Sequence, residues 1–309
     1  MQLIQILSDV GAGKRGSHEG VKWLSQRSDA VFERNVIFEN NLPSDFTTPP
    51  AKYIDNLTAF FHQFLPLLSQ CFQSSSFPVI LSGDHANAIG TISALCHAFS
   101  DKRIGVIWID AHTDLHTPYT TPSGNLHGMS LAALTRQDNK PFSKHSLSDK
   151  IGQYWQQLKQ LAPQSKGILP NDLCFLGVRD CEPEEVALLN QFHIPYFSVE
   201  KIREMGIEQV LTQVKQQFDD VDLVYLSFDV DALDADLLSA TGTPVKGGFT
   251  EQEVNWLLRE LLHLPSLAVF ELTEFNPTLS SDTIQYERVG RLFKSALMQI
   301  EKREMKKAV

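Results

Sequence analysis

The sequence predicts an α/β fold: one doubly wound parallel sheet with helices on both faces. Three observations point there. Short, almost unbroken apolar runs recur along the chain, as expected of strands buried on both faces. Stretches with helical spacing lie between them, and such alternation builds a parallel sheet. No linker, low-complexity run or internal repeat divides the 309 residues, so positions 1–309 read as a single domain.

The elements follow in order. Leu3–Leu7 (LIQIL) opens as a strand, and GAGK at Gly11–Lys14 follows as a turn. It lacks the first glycine and the Ser/Thr of a phosphate-binding loop. Asp55–Phe72 reads as a helix, Val79–Leu81 as a strand, Asn87–Ala98 as a helix and Ile104–Ile109 (IGVIWI) as a strand. Gln137–Gln164 is polar and punctuated, which predicts an irregular surface excursion. Leu173–Val178, Tyr196–Val199, Leu223–Phe228 and Leu267–Leu272 are the remaining strands. Between them lie the helices Glu184–Gln191, Glu208–Phe218 and Glu251–Leu262. Arg288–Lys306 closes the chain as a helix with Phe293, Leu297 and Ile300 on one stripe, a core-packing pattern.

Composition narrows the function. Hydrophobic residues make up 42% of the chain and charged residues 21%, values ordinary for a soluble globular protein with a substantial core. A formal net charge of −10 argues against a nucleic-acid surface. The one dense basic run, Lys302–Lys307, reads as the solvated last turn of a helix. No apolar run approaches the ~20 residues that span a bilayer, and the start lacks a signal-peptide pattern. Four cysteines without C-x-x-C pairing suit buried thiols in a reducing compartment. A cytoplasmic protein is expected.

In a parallel sheet, ligands bind beyond the carboxyl ends of the strands, and this chain places acids and imidazoles there. Asp110, His112 and Asp114 follow one strand at i, i+2 and i+4, a spacing that shares one face of an extended backbone. Asp229 and Asp231 repeat the device after Leu223–Phe228, and His85 ends the segment LSGDH. Three neighbouring strand ends would thus deliver four carboxylates and two imidazoles. Like charges that close need compensation, and two divalent ions supply it. Mixed N/O ligation rich in carboxylate favours Mn²⁺ over thiolate-seeking zinc. His18, His62, His97, His145, His193 and His263 lie outside any ligand spacing. A serine hydrolase built on Ser123 lacks a nucleophile-elbow pattern.

These segments resemble the ureohydrolase superfamily, and within it the arginases. GDH at Gly83–His85, DAHTD at Asp110–Asp114 and SFDVDALD at Ser227–Asp234 match its metal motifs in order. GKRGSHEG, ATGTPVKGGFT and ELTEFNP stand in the corresponding places, and TPYTTPSGNLHG at Thr117–Gly128 is similar to the arginase substrate loop. The resemblance implies an arginase-like fold and a C–N hydrolase acting on a linear amidine. L-Arginine would give L-ornithine and urea through a hydroxide bridging two Mn²⁺ per chain.

Carried over residue by residue, it implies that His85, Asp110, Asp114 and Asp229 hold one ion. Asp110, His112, Asp229 and Asp231 hold the other. Asp114 passes a proton to the leaving nitrogen, His127 shuttles a proton at the pocket mouth, and Glu274 pairs with the guanidinium. Thr121 and Ser123 contact the amino-acid end of the substrate, and Thr243 lies near the guanidinium. The family's oligomers imply a trimer or hexamer. Two positions depart from the family pattern. His116 stands where Asn holds the substrate carboxylate, and Glu182 stands for an Asp that meets the α-amino group, while Glu185 keeps the second acidic position. Both departures fall on the amino-acid rim, so agmatine or a guanidino acid is the alternative substrate. A catalytically inactive metal-binding relative and a single-zinc deacetylase are the competing classes.

Overall fold

The structure, a computed structural model, describes residues 1–307. Its strands are β1 (Gln2–Leu7), β2 (Arg34–Glu39), β3 (Pro78–Ser82), β4 (Ile104–Ile109), β5 (Leu173–Leu176), β6 (Tyr196–Phe197), β7 (Leu223–Asp229) and β8 (Leu267–Thr273). All pair in parallel, in the order β2-β1-β3-β8-β7-β4-β5-β6. Helices α1 (Ser17–Gln26), α2 (Ile54–Phe72), α3 (Asn87–Ala98), α4 (Ser130–Leu134) and α5 (Asp149–Lys159) precede β5. Then come α6 (Pro183–Gln191), α7 (Val199–Met205), α8 (Ile207–Gln217), α9 (Glu251–Leu261) and α10 (Thr283–Lys307). The positions 308 and 309 of the expected 1–309 range lie outside the described residues.

Alternate residues of the central strands feed two separate cores. Ile4, Ile6, Ile80, Val106, Trp108, Phe175 and Tyr225 pack with helices α2 to α6. Leu3, Val79, Leu81, Ile107, Ile109, Leu226 and Phe270 pack with α1 and α7 to α10. Period-two alternation into two apolar layers explains why the central strands read as unbroken apolar runs. Phe293, Leu297 and Ile300 of α10 are buried, as their stripe predicts.

The expected elements recur with shifted ends, and five others, β2, α1, α4, α5 and α7, escaped the sequence reading. Strand β2 lies at the sheet edge with every residue exposed or half-buried, so it carries no apolar run. Helices α1 and α7 are short and partly polar at their exposed positions. The irregular excursion predicted over Gln137–Gln164 instead contains α5. Ser148 caps it by accepting from the Ile151 amide at 3.3 Å, and Ile151, Trp155 and Leu158 form its buried stripe.

A further correction concerns order. The strand ends bearing His85, Asp110 and Asp229 are not three neighbours, because β8 separates β3 from β7. The chain passes from β3 to β4 leaving a gap that β7 and β8 fill later. Four adjacent carboxyl ends, β3-β8-β7-β4, therefore face one crevice.

Candidate metal centre and substrate cleft

Strand β4 ends at Ile109 and the chain turns immediately. Asp110, His112 and Asp114 thus converge through a turn, rather than along the extended face that their spacing suggested. Asp114 sits at φ 51, a left-handed conformation that costs about 1–3 kcal/mol in a non-glycine residue. Its carbonyl accepts from the Leu131 amide at 3.0 Å, which ties that turn to α4.

Three carboxylate oxygens converge on His85 Nδ1: Asp110 Oδ2 at 3.0 Å, Asp229 Oδ2 at 3.2 Å and Asp114 Oδ2 at 3.4 Å. Beside them His112 Nδ1 faces Asp231 Oδ2 at 3.1 Å and Asp110 Oδ1 at 3.3 Å. Asp110 therefore stands between two groups, one oxygen toward each. Backbone amides fix these carboxylates: His112 donates to Asp110 at 2.7 Å, Asp231 to Asp229 at 2.8 Å, and Ala111 to Asp231 at 3.2 Å.

The electrostatics are those of a site short of positive charge. Burial and neighbouring carboxylates push Asp114 and Asp229 well above the usual range for a carboxyl. Burial also raises Asp231, with the Asp110 charge adding to it. Burial opposes charge on His85 and His112, yet the surrounding aspartates outweigh it and hold both imidazoles well above 6.5. His85 Nδ1 and Asp110 Oδ2 are buried without a hydrogen-bond partner. Such atoms are costly unless something else satisfies them. Carboxylate oxygens and imidazole nitrogens gathered within reach of one another in two groups fit divalent cations.

Glu274 follows β8 at φ 65 and is buried. Its Oε1 accepts from the His85 backbone amide at 3.0 Å and faces His127 Nδ1 at 3.0 Å. Burial works against charge on His127, but its bond to Glu274 and that group's charge lift it to about 9. Asp84 closes the floor. It accepts from the amides of Gly11 and Ala12 at 2.7 and 3.1 Å and from Ala86 at 2.9 Å. Burial and the nearby Glu274 charge push Asp84 to about 7. The GAGK turn is thus pinned beside the catalytic candidates rather than holding phosphate.

A cleft of about 210 Å³ opens over these groups, lined by His112, Asp114, His127, Asp229 and Asp231 at its base. Its rim carries His116, Thr121, Ser123, Glu182, Glu185 and Thr243, so these six expected residues border one cavity, whereas Glu274, expected to pair with the guanidinium, meets His127 and does not itself line it. Their contacts differ in kind. Thr243 Oγ1 donates to Asp231 Oδ2 at 2.9 Å. Thr121 Oγ1 accepts from the Gly124 amide at 3.0 Å, and Ser123 is exposed. Glu185 is buried, accepting from Thr113 Oγ1 at 2.6 Å, the Leu115 amide at 3.1 Å and the Glu182 amide at 3.1 Å. With Glu182 it forms the capping box of α6. His116 is buried and both ring nitrogens have partners: Thr120 Oγ1 at 3.1 Å and Glu182 Oε2 at 3.0 Å. Neither a solvent-facing His116 nor one free to donate to a substrate describes this geometry.

Several supporting residues had no local signal. Arg179 donates to the carbonyls of Gly177, Asp231, Leu233, Val245 and Lys246, stitching the Asp231 loop to the segment after Thr243. His145, assigned no role from spacing, bonds the Thr121 carbonyl at 2.7 Å. Ser227 and Glu271, both fully buried, lie behind His85.

Comparison with known proteins agrees with this geometry. The model of the arginase family matches residues 3–298. An arginase of Entamoeba histolytica is 26% identical over 288 residues, covering 90% of this chain and 91% of that protein. Mitochondrial arginase-2 of Rattus norvegicus is 40% identical over 208 residues, 66% of this chain but 54% of that protein. This chain thus matches about half the length of that relative. The solved structure of Entamoeba histolytica arginase with L-ornithine superposes with a TM-score of 0.83 at 25% identity, covering 96% of this chain and 97% of that one.

Proposed function

From the premise that the chain belongs to the arginase family, we propose that it hydrolyses L-arginine to L-ornithine and urea, using two manganese ions per chain. Membership makes it a hydrolase of guanidino groups; the substrate, the ions and the residue roles are our reading. The observation that carries it is Asp110 standing between His85 and His112, with one oxygen toward each. His85, Asp110, Asp114 and Asp229 would hold one ion, and Asp110, His112, Asp229 and Asp231 the other. When bound, the ions supply Lewis acidity and an activated water as nucleophile.

The chain's own residues do the rest. Glu274 orients the planar, cationic guanidinium by a charge-assisted hydrogen bond. Asp114, held beside the reacting centre by its strained backbone, carries a proton toward the leaving nitrogen. His127, between Glu274 and the cleft, relays a further proton to the departing amine. Thr121, Ser123, His116, Glu182 and Glu185 shape the end that receives the amino-acid group, and Thr243 steadies Asp231. A second reading, hydrolysis of agmatine or a guanidino acid, is favoured by one observation: His116 and Glu182 are already paired with each other. No described helix is long and apolar enough to cross a membrane. We place the enzyme in the cytoplasm as a homo-oligomer, a trimer or hexamer like its relatives' family.

Chelation tests the reading. Protein stripped of metal should release no urea from L-arginine, and about two equivalents of Mn²⁺ should restore release. Undiminished hydrolysis by metal-free protein contradicts it.

A further inference from the structure

A buried row beneath His85 has a part that neither the ligand groups nor the cleft explains. Trp108 on β4, Ser227 on β7 and Glu271 on β8 are register partners across three adjacent strands. His85 lies on this row, and all four residues are buried. Its ring stacks on the Trp108 indole with centroids 3.7 Å apart and planes 6° apart, which fixes the plane in which both nitrogens point. Nε2 meets Ser227 Oγ at 2.8 Å. Ser227 Oγ in turn donates to Glu271 Oε2 at 2.8 Å.

A hydroxyl has one proton to give. Ser227 gives it to Glu271, so toward His85 its oxygen only accepts, and Nε2 is the nitrogen that keeps hydrogen in the neutral ring that binds a cation. The nitrogen left for a ligand bond is Nδ1, the atom on which Asp110, Asp114 and Asp229 converge. We propose that Glu271 is a positioning residue which, through Ser227, keeps the proton of His85 on Nε2 and so reserves Nδ1 for one of the two cations. This rests on the binuclear reading above. Glu271 belongs to this row, lines no part of the cleft and touches no reacting atom. Without its carboxylate, Ser227 is free to turn its proton toward Nε2, which favours hydrogen on Nδ1 and closes the ligand position. Partners that fix the outer nitrogen of a ligating imidazole are worth about 10–100-fold in metal affinity.

The test is calorimetric titration of Mn²⁺ into metal-free wild type, Glu271→Met, Ser227→Ala and the double variant, with melting of each metal-free protein as a folding control. Glu271→Met should weaken one of the two ions by about 10–100-fold and leave the other within about threefold, because His112 lies outside the row. Ser227→Ala should weaken the same ion, and the double variant should lose little more, since both changes break one chain. Ser227→Thr keeps the hydroxyl and should keep the affinity; this pair decides the matter if Glu271→Met does not fold. Folded variants that bind both ions as tightly as wild type, or that lose both equally, overturn the assignment. Wild type that binds fewer than two ions overturns the binuclear reading itself, a failure visible before any variant is compared.

Discussion

Glu274 Oε1 lies 3.0 Å from His127 Nδ1 and also accepts the His85 amide, so the proposed guanidinium anchor, the proton carrier and a metal ligand meet at one oxygen. Glu274→Gln keeps the shape and removes the charge. Its kcat/KM for L-arginine should fall at least 100-fold, about 3 kcal/mol of transition-state stabilisation. His127→Asn should lower kcat with KM little changed, and added imidazole should recover part of it. Steady-state kinetics of both variants checks the pair; near-wild-type turnover in both removes these roles.

The same contact has a pH consequence in metal-free protein. Burial alone would lower His127, but Glu274 raises it from 6.5 to about 9. A raised histidine contributes its stability fully below about pH 6.5, and that contribution is lost as pH rises through about 9. Histidine NMR titration should find His127 still protonated at pH 8 in wild type and shifted down in Glu274→Gln. Equal titration in the two proteins contradicts the coupling.

Asp110 is the residue whose two oxygens face two imidazoles. Asp110→Asn should therefore cost both ions, and Asp229→Ala likewise, because Asp229 is assigned to both ion sites. His112→Ala should cost mainly one. Elemental analysis after dialysis against Mn²⁺ should give close to two ions for wild type and less than one for Asp110→Asn.

Much of the fold was legible because strands buried on both faces must be apolar throughout, as Ile104–Ile109 is. Edge strand β2 has no such obligation, and Ile37 in it is half exposed. Helix α5 was legible in principle: Ser148 as cap and the Ile151, Trp155, Leu158 stripe stand in a stretch otherwise dominated by polar residues. The aspartates and histidines proposed as ligands announce themselves by clustering at strand ends. Glu271 does not, because one acid within an apolar run gains meaning only from Ser227 on the neighbouring strand. Asp84 is similar: its partners, Gly11 and Ala12, are over seventy positions away. The insertion of β8 between β3 and β7 is a matter of topology that local pattern does not encode.

Gly83 links sequence to site through space rather than charge. A Cβ there would collide with the Ser8 carbonyl, while the Gly83 carbonyl accepts from the Glu274 amide at 3.2 Å. Gly83→Ala should push β3 away from β1, cost about 1–3 kcal/mol of stability and displace both His85 and Glu274. Denaturant melts should show the loss, accompanied by weakened metal binding.

His116 and Glu182 hold each other at 3.0 Å on the cleft rim. His116→Asn should release Glu182 and alter KM for L-arginine while leaving kcat nearly unchanged, since binding and not chemistry is touched. Agmatine, which has no carboxylate, should show a smaller change. A variant that loses kcat and keeps KM contradicts a rim role.

The most direct measurement is product release from a panel of guanidino compounds by manganese-loaded protein, with urea and the second product both quantified. The account predicts urea and L-ornithine in equal amounts from L-arginine, at a kcat/KM above that for agmatine or any guanidino acid. Urea from agmatine or a guanidino acid with none from L-arginine would contradict the assigned substrate. No urea from any of them, in protein carrying two ions, would contradict the assigned chemistry.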